Sequence, residues 1–290
     1  MSSLEQTLMK ELAAQHAPRY LLAVCDQALL DERQRAWVKS RFDQRAYPLL
    51  QDPHWEALFP YSPLLLAAQE TTEAGHHALL SAFAAAQIPR HGWIVSAVPG
   101  EQLATHLAQA GVARGPQGAA FLLRYFDPRV LPRLSKHADG GWWGALMAPI
   151  VSWWVPTSDT RTERWGRVPG LAMTNAAAPS ALLVDDKLWQ VLVRNPLPLR
   201  ILAAIERQAP SLFDTPCPGV RLARVEAVIT AAKDVGLTRY RDLLDYVFIA
   251  LAQESPTLEA DRHWQHAIRD AASGAGHLGD LYLALGEQKT

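Results

Sequence analysis

With 290 residues, 28 basic and 29 acidic side chains and a formal net charge of −1, the chain lacks the cationic excess of a broad electrostatic nucleic-acid binder. Apolar residues at 49% against 20% charged exclude a disordered chain, and the length suits one large domain or two of medium size. Cys25 and Cys217 lie far apart and make neither a metal-ligand pair nor a disulfide framework, so a reducing compartment is expected.

Leu4, Leu8 and Leu12 give the first fifteen residues a modest amphipathic helix, and Glu5 interrupts what an export signal would keep apolar. Four apolar runs then read as buried strands: Tyr20 to Cys25, Pro63 to Ala67, Trp93 to Ala97 and, the clearest, Ala119 to Phe126. A helix carrying Leu79, Leu80 and Phe83 separates the second and third. Another starts after Pro99, carries Leu103 and Leu107, and ends near Gly111. Strands alternating with helices predict an α/β lobe over residues 18–157, with a mixed, mainly parallel sheet and flanking helices.

The junction after the fourth run carries strong local signals. Asp127 can cap the following helix, Pro128 sits where its missing N–H costs nothing, and Phe126 with Leu131 can form a hydrophobic staple. Arg124 shares a strand face with Leu122 and Phe126, so it needs an anionic or carbonyl partner, with Asp127 and backbone carbonyls as candidates. The uncharged stretch from Gly140 to Ser158 is broken by prolines, glycines and serines, and does not make the roughly 20-residue apolar span a membrane helix needs. It holds Trp142–Trp143 and Trp153–Trp154; on strands, one ring of each pair faces the core and the other faces packing or a partner. Residues 158–180 read as a connection with a short hairpin around Trp165. Residues 181–290 read as a helical bundle, with stripes such as Val225, Val228, Ile229 and Ala232, a stop at Gly236 and a cap at Thr238. A soluble, cytoplasmic protein is expected.

Chemistry-bearing motifs are missing: the sequence has no GxGxxG, Walker A loop, HExxH, CxxC or GxSxG. Cys25 ends a strand beside Asp26, an environment that disfavours the thiolate, and Cys217 lies between prolines with no base beside it. His76 and His77 point about 100° apart on a helix, and His263 and His266 have shared-metal spacing but no third ligand nearby. Asp185 and Asp186 are explained by a helix start. No metal and no cofactor is expected.

The segment Phe121-Leu-Leu-Arg124-Tyr-Phe-Asp127-Pro-Arg129-Val-Leu131 resembles the hallmark, approximately (F/W)R(Y/F)(Y/F)DPRVL, of a domain-of-unknown-function family of adaptors and chaperones in bacterial type VI secretion. Tyr20-Leu-Leu-Ala-Val, Ser62-Pro63-Leu-Leu-Leu and His91-Gly92-Trp93-Ile follow the family's order, so the resemblance covers roughly residues 18–157. It implies a non-enzymatic protein that binds a cognate toxic effector in the bacterial cytoplasm and helps load it onto the VgrG-type spike. Arg124, Tyr125, Asp127 and Arg129 carry the hallmark, and Trp142, Trp143, Trp153 and Trp154 are the aromatic candidates for partner contact. Two other readings stay open: a hydrolase with a site at the sheet edge near Cys25, Ser96, Asp127 or a histidine, and a toxin-neutralising immunity protein.

Overall fold

The computed structural model describes residues 3–13, 17–86, 88, 91–115, 117–157, 164–192, 196–215, 217–253, 258 and 260–287. They pack as two units, one drawn from residues 3–157 and 164–192, the other from residue 196 onward.

The first unit is built on a six-stranded sheet of β1 (Tyr20–Asp26), β2 (Ala46–Pro48), β3 (Pro63–Ala67), β4 (Gly92–Ser96), β7 (Ile150–Pro156) and β8 (Trp165–Pro169). Its order is β2-β3-β1-β4-β7-β8. Each neighbouring pair is antiparallel, with Val24 opposite Leu65 on one side of β1 and Leu22 opposite Ile94 on the other. This corrects the expectation of a mainly parallel sheet. The crossover from β3 through α3 (Glu73–Ala86) to β4 does return the chain in the same direction, but β1 fills the gap between them and pairs antiparallel with both.

Side-chain alternation divides the core. Leu22 and Val24 of β1 point to one face, with Leu103 and Leu107 of α4 (Gly100–Ala108), while Leu21, Ala23 and Cys25 point to the other, with Leu79, Leu80 and Phe83 of α3. The second face also receives Leu8 of α1 (Ser3–Ala13) and Val38 and Phe42 of α2 (Glu32–Phe42). Burial on both faces is why the strands are uniformly apolar, the pattern usually associated with parallel sheets.

The run expected as the fourth strand is strand only at β6 (Ala120–Leu122), which pairs with β5 (Val112–Arg114) in a separate sheet completed by β9 (Leu182–Leu183). Leu123 to Phe126 leave that sheet and dive into the core as irregular chain. They lead to α5 (Leu131–His137) and α6 (Gly140–Met147), and β9 leads to α7 (Asp186–Leu192), which Asp185 caps by accepting the Leu188 N–H at 2.7 Å.

The second unit holds α8 (Leu197–Gln208), α9 (Pro218–Asp234), α10 (Tyr240–Ala252), α11 (Arg262–Ser273) and α12 (Leu278–Glu287) around Ile201, Ile205, Val225, Ile229, Val247 and Trp264. Gly236 ends the α9 turn at φ +92°, a left-handed geometry that suits glycine. Thr238 is not the cap of α10; Arg239 holds that position without a side-chain cap bond, and pairs instead with the buried Asp242 at 2.5 Å.

Candidate functional site

The segment from Phe121 to Leu131 forms a turn laid across one end of β1. Leu123 N–H donates to Gly111 O, Asp127 N–H to Arg124 O, and the N–H groups of Val130 and Leu131 to Asp127 O, all at 2.9–3.0 Å. Asp127 therefore caps this turn, and α5 begins only at Leu131, with Val130 at its cap position. Its carboxylate accepts the Arg129 backbone N–H at 2.9 Å, Arg129 Nε at 2.8 Å and the terminal guanidinium nitrogen at 2.5 Å. Phe126 and Leu131 are both buried in the core beneath.

Arg124 does not pair with Asp127. Its guanidinium donates to Asp26 Oδ2 at 2.5 Å, while Asp26 Oδ1 accepts the Ala28 N–H at 3.0 Å. The same guanidinium lies 5.4 Å from the Phe126 ring centroid, a cation–π contact that holds its plane. Asp26 stands 98 residues from Arg124, too far for any spacing rule to link them. The one sequence signal was an acid closing an otherwise apolar strand.

His91 lies buried amid these four charges, its backbone N–H donating to Val24 O at 2.9 Å. Burial, the strongest influence, lowers its pKa; the charges of Asp26 and Asp127 oppose this, and those of Arg124 and Arg129 reinforce it. For Asp127 burial is again the largest influence and raises the pKa, but the hydrogen bonds and charge of Arg129, aided by Arg124, outweigh it and hold the carboxyl below its ordinary range. The result is two buried carboxylates, each joined to an arginine whose side chain is 44% (Arg124) or 40% (Arg129) exposed. Chemically this is a rigid mount that presents two guanidinium groups to solvent.

Tyr125 is fully buried, and burial raises its phenol pKa. Its ring meets Trp153 edge to face at 6.4 Å. The tryptophans serve packing. Trp142 and Trp143 sit on the helix α6, not on a strand, because Asp139 caps it by accepting the Trp142 N–H at 3.0 Å. Trp142 is buried and its indole N–H donates to Ser180 O at 2.8 Å, while half-buried Trp143 packs on the same core. Trp153, on β7, is fully buried on one sheet face. Its neighbour Trp154 packs on the other, where its indole N–H donates to Glu11 at 3.2 Å.

Of the groups weighed as nucleophiles, Cys25 is fully buried, and burial together with Asp26 pushes its thiol up to about 12. The Ser96 hydroxyl donates to Val98 O at 2.8 Å. Among the described residues no cluster of His, Cys, Asp and Glu could hold a metal ion, and no helix is long and apolar enough to cross a membrane.

No curated protein and no solved structure matches the chain. Residues 21–143, from β1 into α6, match the model of a family described as "Domain of unknown function (DUF4123)", and Asp26, His91, Arg124, Asp127 and Arg129 all fall inside that stretch.

Proposed function

We propose that this protein is a non-enzymatic adaptor of the bacterial cytoplasm that binds a cognate type VI secretion effector and assists its loading onto a VgrG-type spike. The observation that carries the reading is the hallmark turn: its invested chemistry goes into holding Arg124 and Arg129 at the surface on buried carboxylates, an arrangement suited to contact. Near the same end of β1, the helical turns Gln27–Leu29 and Pro53–Tyr61 adjoin and expose Leu29, Leu58, Phe59 and Tyr61. Exposed apolar area beside fixed cations supports a protein partner, and a stable complex would bury on the order of 1,000 Å² or more.

Co-expression with the products of the flanking genes, followed by pull-down on this chain, tests the reading. Retention of an effector and of the spike, with a gain in effector solubility, is the expected outcome. If neither is retained and solubility is unchanged, the adaptor assignment fails.

A further inference from the structure

Strand β8 closes one end of the six-stranded sheet, and among the described residues no strand pairs with its outer side. The ladder with β7 fixes what that side presents. Thr157 N–H donates to Arg164 O at 2.7 Å and Gly170 N–H to Val151 O at 3.0 Å, so in the register between them Gly166 and Val168 turn their N–H and C=O groups to Val155 and Trp153. Trp165, Arg167 and Pro169 therefore point theirs away from β7. The outer side carries the N–H and C=O groups of Trp165 and Arg167, about 6.6 Å apart along the strand, and the carbonyl of Pro169. The charge of Arg167 does not guard this edge, because its guanidinium is drawn to Glu11 Oε1 at 2.6 Å. Beyond Pro169 the chain is pinned near the start of β7, with Ala172 N–H donating to Ile150 O at 2.8 Å and Met173 N–H to Ala148 O at 2.7 Å. On that fastened segment the side chains of Leu171 and Met173 stand 57% and 47% exposed.

We propose that the outer side of β8 binds an extended segment of the effector, which adds to the sheet as a further strand and sets apolar side chains on Leu171 and Met173. The inference rests on the adaptor reading and names the form in which the partner is held. Donors and acceptors repeating every second residue are matched by another extended backbone, whereas a helix uses its backbone groups internally and cannot pair with them. In such an addition the main chain supplies affinity and alternate side chains supply specificity. Pro169 has no N–H to donate, so it ends the ladder and sets the register of the incoming strand. A second copy of this chain fits less well. In a twofold antiparallel pair of β8 strands, Leu171 and Met173 would lie at the end where Arg161-Thr-Glu-Arg164, a charged run, enters the other copy's β8.

The test compares Arg167→Ala with Arg167→Pro in the full chain, co-expressed with the effector encoded beside it. Both variants lose the tie to Glu11, but only proline removes an outward N–H, and it leaves the groups that bond β7 in place. Arg167→Ala should retain the effector nearly as well as wild type, and Arg167→Pro should bind it about tenfold more weakly or worse. Amide exchange on the wild type keeps the test open if the proline variant fails to fold. In the free chain the Trp165 and Arg167 amides should exchange faster than those of Gly166 and Val168, and effector binding should protect them. Equal affinity of folded Arg167→Pro and Arg167→Ala, or no gain in protection at Trp165 and Arg167 in the complex, overturns the strand addition and leaves the adaptor reading. Light scattering that shows a wild-type dimer, split by Arg167→Pro while the effector is still retained, assigns the edge to a second copy and also overturns it. If the wild type retains no effector, the adaptor reading falls and the strand addition falls with it.

Discussion

The Asp127 carboxylate closes its turn through the Arg129 N–H and grips the Arg129 guanidinium with both oxygens. Asp127→Ala loses both interactions and should cost about 1–2 kcal/mol in urea unfolding. Arg129→Ala should also destabilise, because it leaves the Asp127 carboxylate, 6% exposed, without the guanidinium that offsets its burial. Equal unfolding midpoints for wild type and Asp127→Ala would remove the capping role. His91 gives a second expectation. With its folded pKa depressed, the native protein resists the proton that the unfolded chain accepts near pH 6.5, so stability is complete above that value and declines as pH falls below it. His76 and His106 are lowered mainly by burial in the same sense. In His91→Gln the loss of stability between pH 7 and about 5 should therefore shrink without vanishing; an unchanged slope would show that His91 is not held neutral. Asp127 could be picked out in advance because a cap residue before proline has a local signature. Asp26 and His91 could not be joined to it, since only the folded sheet brings the end of β1 beside a turn so distant in sequence.

At the level of strands and helices, β4 and β7 approach so closely at Gly92 that an added Cβ would lie 2.7 Å from Trp153 Nε1 and 2.8 Å from Trp154 O. Gly92→Ala should destabilise the first unit by about 1–3 kcal/mol, read from its thermal midpoint; a neutral effect would mean the strands can part cheaply. Helix α1 buries Leu8 and Met9 in the core and is tied to β7 and β8 by Glu11. Glu11 accepts from Ser152, from Trp154 Nε1 at 3.2 Å and from Arg167 Nε at 2.6 Å. Glu11→Ala should raise amide exchange along α1 well above that of β1, and equal protection would assign the helix's hold to its apolar contacts, Leu8 and Met9 foremost. β1, β3, β4, α3 and α4 were readable because each is a short, unbroken pattern. Strand direction was not, because a strand buried on both sides has the same composition whichever way its neighbours run. The run from Ala119 to Phe126 misled for a related reason: apolarity reported the burial of Leu123, Tyr125 and Phe126, and burial does not require a ladder. Around Trp142 the Asp139–Gly–Gly start marked a helix, but the bulky pair was read as strand.

Across the whole molecule, the helical unit has a hydrophobic core composed of residues distinct from the two that line the sheet. Ile205→Ala, at a fully buried position of that core, should remove about 2–5 kcal/mol from the helical unit. Calorimetry should then show one transition lowered and the sheet unit's transition in place; a single transition moving as a whole would show that the two unfold together. The seat of β1 between β3 and β4 has a consequence for biosynthesis. β1, one of the two central strands, leaves the ribosome before either of its partners, and the second of them, which reaches Ser96, emerges much later. At roughly 5–20 residues per second, Leu21 to Cys25 wait on the order of several seconds without a completed ladder on either side. During that interval the nascent chain offers an apolar ribbon to holding chaperones, and slowing translation between β1 and β4 would prolong its risk of aggregation.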